Sequence, residues 1–203
     1  MSAALLELEN YLPAGSLEIV TPWFDRYPVQ LRVTKPRRSK LGDFRSESRK
    51  GPHRISINGD LNPYSFLITL VHEFAHAATW VEHGRRAKAH GEEWKRNYRE
   101  MLYPFFLSGI FPEELEAKLK THLCKAPAAS CSDTELLKAL HKFDINTVRT
   151  YLEDLAINST FTLGGRRLFK KGKKLRKRYR CVCLNNQRTY LIDPLAEVNM
   201  TDA

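Results

Sequence analysis

The run Val71-His72-Glu73-Phe74-Ala75-His76 places two imidazoles four residues apart with a carboxylate beside the first. On a helix, positions i and i+4 differ by roughly 40° in azimuth and about 6 Å in height, so both rings can reach one ion. Glu73, one residue on, flanks that ion without being forced to ligate it, where a base for an activated water has to sit. A catalytic zinc commonly takes three protein ligands, so a third must follow.

The nearby candidates are Glu82, His83, His90, Glu92 and Glu93. On a regular helix His83 shares the azimuth of His72 within roughly 20° but rises about 10 Å above His76, out of reach. The metzincin spacing would need a Gly and a His where this chain has Thr79 and Glu82, which excludes that class. His90 suits better: Gly84 lets the chain leave the helix, Arg85 to Ala89 can turn it back, and Gly91 lets a second helix start nearby. A third neutral imidazole leaves the site at charge +2, favouring water of low pKa. Trp94 would then pack behind His90, whereas His53, His122 and His141 lack partners at ligand spacing and read as ordinary surface or core residues.

These residues need elements to hold them. Asn62 and Pro63 offer a cap and a first-turn proline for a long helix through Phe66, Leu70, Phe74 and Ala77 to about His83. A helix is expected at about Ala3 to Tyr11, reading as amphipathic and not as an export signal, and then alternating strands at Val29 to Thr34 and Arg54 to Asn58. Lys35 to Pro52 reads as a polar loop, and further helices are expected from His90-Gly91 to Leu102 and from Pro112. Lys125 to Ser130 reads as a linker, Ser132 with Glu135 as a capping box, and Asp144 as the cap of a helix through Val148, Tyr151 and Leu155. From about Ser159 the pattern turns to strands and turns, dividing the chain into a core at 1–124, a linker and helical segment at 125–158 and a β subdomain at 159–203. The fold class is therefore α+β.

The 203 residues are 42% hydrophobic and 28% charged, which excludes collagen-like, prion-like and wholly disordered chains. No apolar run approaches the ~20 residues a membrane helix needs, so no membrane partner is expected, and the cysteines read as reduced thiols of a cytoplasmic protein. The net charge of +10 is local: Arg166, Arg167, Lys170, Lys171, Lys173, Lys174, Arg176, Lys177, Arg178 and Arg180 fall in one window without an acid, and the rest balances at 23 against 23. A local single-sign field points to a polyanion. Interleaved Phe169, Tyr179 and Tyr190 could pack inward or stack on bases, a pattern that accommodates duplex and single strand alike. A milder cluster comprises Lys35, Arg37, Arg38, Lys40, Arg45, Arg49 and Lys50.

The segment ISINGDLNPYSFLITLVHEFAHAATW with the later HGEEW, residues 55–94, resembles the SprT-like zinc metalloproteases, the family that includes Spartan; GGRRLFKKGKKLRKRYRC resembles it more weakly. The resemblance implies a zincin-like core binding one zinc ion through His72, His76 and His90, with Glu73 catalytic, and protein substrates bound or crosslinked to DNA. Many family members add a zinc ribbon with paired C-x-x-C knuckles, but here Cys181-Val182-Cys183 stands without a second pair, so no second zinc is expected. The expectation is a monomeric zinc endopeptidase recruited to DNA by its basic tail. Two readings compete: a DNA-binding module with a structural or inactive zinc site, and a general zinc peptidase indifferent to DNA.

Overall fold

A computed structural model describes residues 7–37, 39–47, 51–125, 133–145 and 149–201. The chain is mixed α+β and divides into two compact units, Met1–Ile145 and Asn146–Ala203. The segment 125–158 is thus shared between the units.

In the first unit a 3₁₀ turn at Glu9–Tyr11 precedes helix α1 (Ser16–Arg26), strands β1 (Val29–Thr34), β2 (Gly42–Arg45) and β3 (His53–Asn58), and helices α2 (Pro63–His83), α3 (Glu92–Leu107), α4 (Glu113–Lys125) and α5 (Thr134–His141). The sheet runs β1-β3-β2, with β1 parallel and β2 antiparallel to β3. Ile55 and Ile57 of β3 meet the apolar run Phe66 to Val71 of α2 in a core closed by Trp94, Leu102, Phe105 and Leu115. Helix α2 is apolar nearly all round its first turns, as an element buried by its neighbours must be.

Two elements depart from the sequence expectation. Helix α1 was not foreseen because Pro22 reads as a break, yet the helix carries it at residue seven of eleven and buries Val20. Strand β2 emerges from the supposed loop because pairing with β3, which propensity does not register, organises it. Other boundaries shift: α3 begins at Glu92 and runs on through Pro104, and α5 is capped by Asp133, whose carboxylate accepts the N–H groups of Glu135 and Leu136; Ser132, the expected cap, lies outside the described residues. Of the helix expected at Ala3 to Tyr11, residues 3–6 lie outside the described residues.

The second unit is an antiparallel sheet ordered β7-β6-β5-β4-β8, from β4 (Thr160–Leu163), β5 (Arg167–Lys174), β6 (Tyr179–Cys183), β7 (Thr189–Ile192) and β8 (Asn199–Met200). Phe161, Phe169, Cys181, Cys183 and Ile192 form its core with Leu152 and Leu155. The helix expected from Asp144 to Leu155 gives way to a bridge at Tyr151 and a 3₁₀ turn at Leu152–Asp154, which tucks its leucines under the sheet; residues 146–148 lie outside the described residues.

Asn62 ties α2 to α5: its Oδ1 accepts the Ser65 N–H, and its Nδ2 donates to the Leu140 carbonyl and the Asp144 carboxylate. Asn62→Ala removes a cap and leaves the buried Leu140 carbonyl without that donor, so it should cost about 2 kcal/mol in denaturant unfolding. A loss under about 0.5 kcal/mol would show that the link contributes little.

Candidate metal centre

Helix α2 carries His72, Glu73 and His76 just past its midpoint, where its register is fixed by the buried Phe74, Ala75 and Ala77. The helix ends at Gly84, whose N–H bonds to the Trp80 carbonyl and whose φ of 58° is one that side chains resist. A short turn then delivers His90 in a left-handed conformation (φ 60°), with α3 starting two residues later. Asn97 locks α3 to α2, its Nδ2 donating to Thr79 Oγ1 and Glu82 Oε2.

The three Nε2 atoms converge. His72 and His76 are 3.3 Å apart, and His90 lies 3.1 Å from each. Three nitrogens bound at about 2.05 Å in a tetrahedral zinc site lie ~3.3 Å from one another, so the donor set fits such an ion. Protons cannot satisfy it equally well, since each neutral imidazole has one N–H and the three ring nitrogens face a common point. Burial holds His72 down to about 3 and His76 to about 4, and lowers His90, so the rings are neutral and available as ligands at neutral pH. Trp94 backs all three rings, at centroid distances of 4.7, 5.3 and 4.7 Å from His72, His76 and His90. Its Nε1 is buried and has no hydrogen-bond partner among the described residues.

Glu73 shares the cleft, which measures about 490 Å³. Burial pushes its carboxyl up to about 8, and Asp43 adds to the rise, while Arg37, the Phe44 N–H and Lys40 oppose it. A dication held by the imidazoles would supply the countercharge that burial withholds, a second respect in which the residues fit a metal.

Strand β2 forms the opposite wall. A Cβ at Gly42 would stand 2.5 Å from Glu73 Oε1 and 2.6 Å from Thr69 Cγ2, so only glycine lets the strand lie this close to α2. Phe44 stacks on His76 at 6.2 Å with the planes 12° apart. Sequence reasoning missed Gly42 and Phe44; the signal was a Gly-Asp-Phe run inside an otherwise polar segment. The milder basic cluster is largely spoken for. Arg37 donates to Asn58, Ser56 and the Leu41 carbonyl, and Lys40 and Arg45 pair with Asp43; Arg38, Arg49 and Lys50 lie outside the described residues.

Of the ten tail cations, nine are exposed and one is corrected. Lys171 is only 2% exposed, its Nζ donating to the Glu153 and Leu155 carbonyls and lying 4.1 Å from the Tyr179 ring centroid, so it is a structural residue of the second unit. Phe169 is buried against Phe161 and Tyr190 and cannot stack on a base. Cys181 and Cys183 face the core. His122 is also internal, its Nδ1 3.1 Å from the Asp133 carboxylate.

The α+β unit thus gathers three imidazoles that could hold a metal ion and a buried carboxylate in one cleft. Residues 21–118, just under half of the chain, match the model of the SprT-like family. No curated protein and no solved structure matches the chain.

His90→Ala should weaken zinc binding by more than about a hundredfold, the upper range for losing a contact that merely orients a ligand; competition with a chromophoric chelator measures it, and an unchanged affinity would remove His90 from the site. The metal-free protein offers a pH test of Glu73. Its folded pKa of about 8 exceeds the ordinary 4.5, so its contribution to stability is complete below pH 4.5 and lost as pH rises through 8. Glu73→Gln lacks that loss, and should gain on the metal-free wild type over that window by on the order of a few kcal/mol. Parallel stability curves would mean that Glu73 is not held neutral.

Proposed function

We propose that this chain is a zinc-dependent metalloendopeptidase with a zincin-like core, acting on proteins bound or crosslinked to DNA, and recruited to DNA by the exposed cations of its second unit. The observation that carries the catalytic part is the convergence of three Nε2 atoms within 3.3 Å of one another in the cleft that also holds buried Glu73. His72, His76 and His90 would hold the ion. When bound, zinc supplies Lewis acidity, lowering the pKa of water and polarising a carbonyl.

The residues supply the rest. Glu73, steadied by the Phe44 N–H and confined by the Gly42 backbone, takes a proton from water at its carboxylate and returns it to the departing amine. Trp94 holds the imidazoles in register and keeps solvent from behind them.

The DNA part rests on charge. Arg166, Arg167, Lys170, Lys173, Lys174, Arg176, Lys177, Arg178 and Arg180 are all exposed, four of them on the β4–β5 and β5–β6 turns and five on strands β5 and β6. With Phe169 buried, it is not available to stack on a base, and the exposed cations contact phosphates. Such a protein works where DNA is, as a monomer in the cytoplasm or on the nucleoid, and DNA-dependence restrains indiscriminate cleavage.

Glu73→Gln should retain zinc yet lower DNA-stimulated cleavage of a DNA-bound protein by about 10²–10⁴-fold. Cleavage that survives with metal in place would refute the hydrolytic assignment. Replacing Lys173, Lys174, Arg176, Lys177 and Arg178 by Gln should weaken DNA binding and flatten its salt dependence, since each phosphate contact contributes a slope of about −0.9 on duplex. Cleavage equal with and without DNA would instead indicate a general peptidase.

A further inference from the structure

The edge of the first sheet remote from β2 carries a second feature. A groove of about 970 Å³ is lined by every residue from Val29 to Pro36, together with Leu8, Tyr11 and Phe24. Successive side chains on a strand point to opposite faces. A void that touches all of β1 consecutively therefore lies along the strand's edge and not over one face. Strand β1 is terminal in its sheet, and among the described residues it pairs with β3 alone.

The ladder shows which backbone groups reach that void. His53 N–H donates to the Pro28 carbonyl and Gly59 N–H to the Thr34 carbonyl, so the even-numbered residues from 28 to 34 direct their groups toward β3. In a parallel ladder the alternate residues point the other way. Leu31 and Val33 thus each present an N–H and a C=O to the groove. On the inner face Val29, Leu31 and Val33 continue an apolar surface with Tyr11 and Phe24, while Gln30 and Arg32 are exposed on the outer face.

We propose that this groove binds an extended polypeptide segment as a fourth strand, with apolar residues on the inner face and an acidic residue opposite Arg32. Main-chain bonds to Leu31 and Val33 supply affinity, and the alternating side chains supply selection. A second copy of the chain fits less well. Antiparallel pairing through Leu31 and Val33 would set Arg32 directly against its counterpart, and like charges so placed repel. Of the other charged groups at the groove, Lys35 is a cation and Glu7 and Asp60 are anions, so the groove as a whole is neutral; the acidic residue is selected by its place directly opposite Arg32, where opposite charges on a cross-strand pair attract. This surface is independent of the peptidase reading.

The test titrates the full chain into a fluorescein-labelled, N-acetylated eight-residue peptide alternating valine and threonine with one central glutamate, read by polarisation. A counterpart with central lysine should bind about tenfold more weakly, and one N-methylated at alternate amides should not bind. Leu31→Pro removes an outward N–H from an edge strand, along with part of a side chain packed on the inner face, so it should weaken binding at least about tenfold while circular dichroism and zinc content show the fold retained. Arg32→Glu, at an exposed position, should reverse the preference between the glutamate and lysine peptides and serves if the proline variant misfolds. Absence of saturable binding at about 1 mM peptide, or binding indifferent to N-methylation and to Arg32→Glu, overturns the proposal. So does peptide-free dimerisation that Leu31→Pro abolishes, which would make the occupant another copy.

Discussion

Three neutral imidazoles whose nitrogens face one point set their lone pairs against one another, and burial makes it costly for any ring to relieve this by taking up a proton. Burial and mutual proximity lower the proton affinity of His72 and His76, so the pocket favours a cation that accepts three lone pairs at once. Much of the first unit is arranged to keep those rings where they are. The apolar run ahead of them seats α2 on the sheet, Asn97 joins α3 to α2, and Trp94 fills the space behind. His90 adopts a left-handed backbone conformation, a strain of about 1 kcal/mol that the surrounding structure holds in place.

The carboxylate follows the opposite logic. Where the histidines lose protons to burial, Glu73 keeps one, and the same dication would resolve both. Its neighbours come from a strand of four residues whose approach depends on a missing side chain at Gly42. The base is therefore positioned by two elements, α2 through the chain and β2 through contact.

The three-histidine cluster was legible because it is local. Two ligands and the carboxylate lie within one turn and a half of helix, and Gly84 and Gly91 bracket the loop that returns the third. Long-range pairing was not legible. Strand β2 has no strong pattern of its own and exists because β3 offers a partner, while α1 was hidden by a proline that a helix interior tolerates here. The cap of α5 is Asp133, whose carboxylate also meets His122, a contact between residues eleven apart that no local pattern announces. In the tail, charge alone marked ten cations as a surface; burial took Lys171 from that set, because its long stem lets an ammonium end on backbone carbonyls beneath the sheet.

That placement gives the second unit an internal witness. Amine-modifying reagents will reach the exposed lysines around Lys171, but Lys171 itself becomes reactive only when the sheet comes apart. Labelling at this position therefore reports loss of the unit's packing, which the exposed amines cannot do.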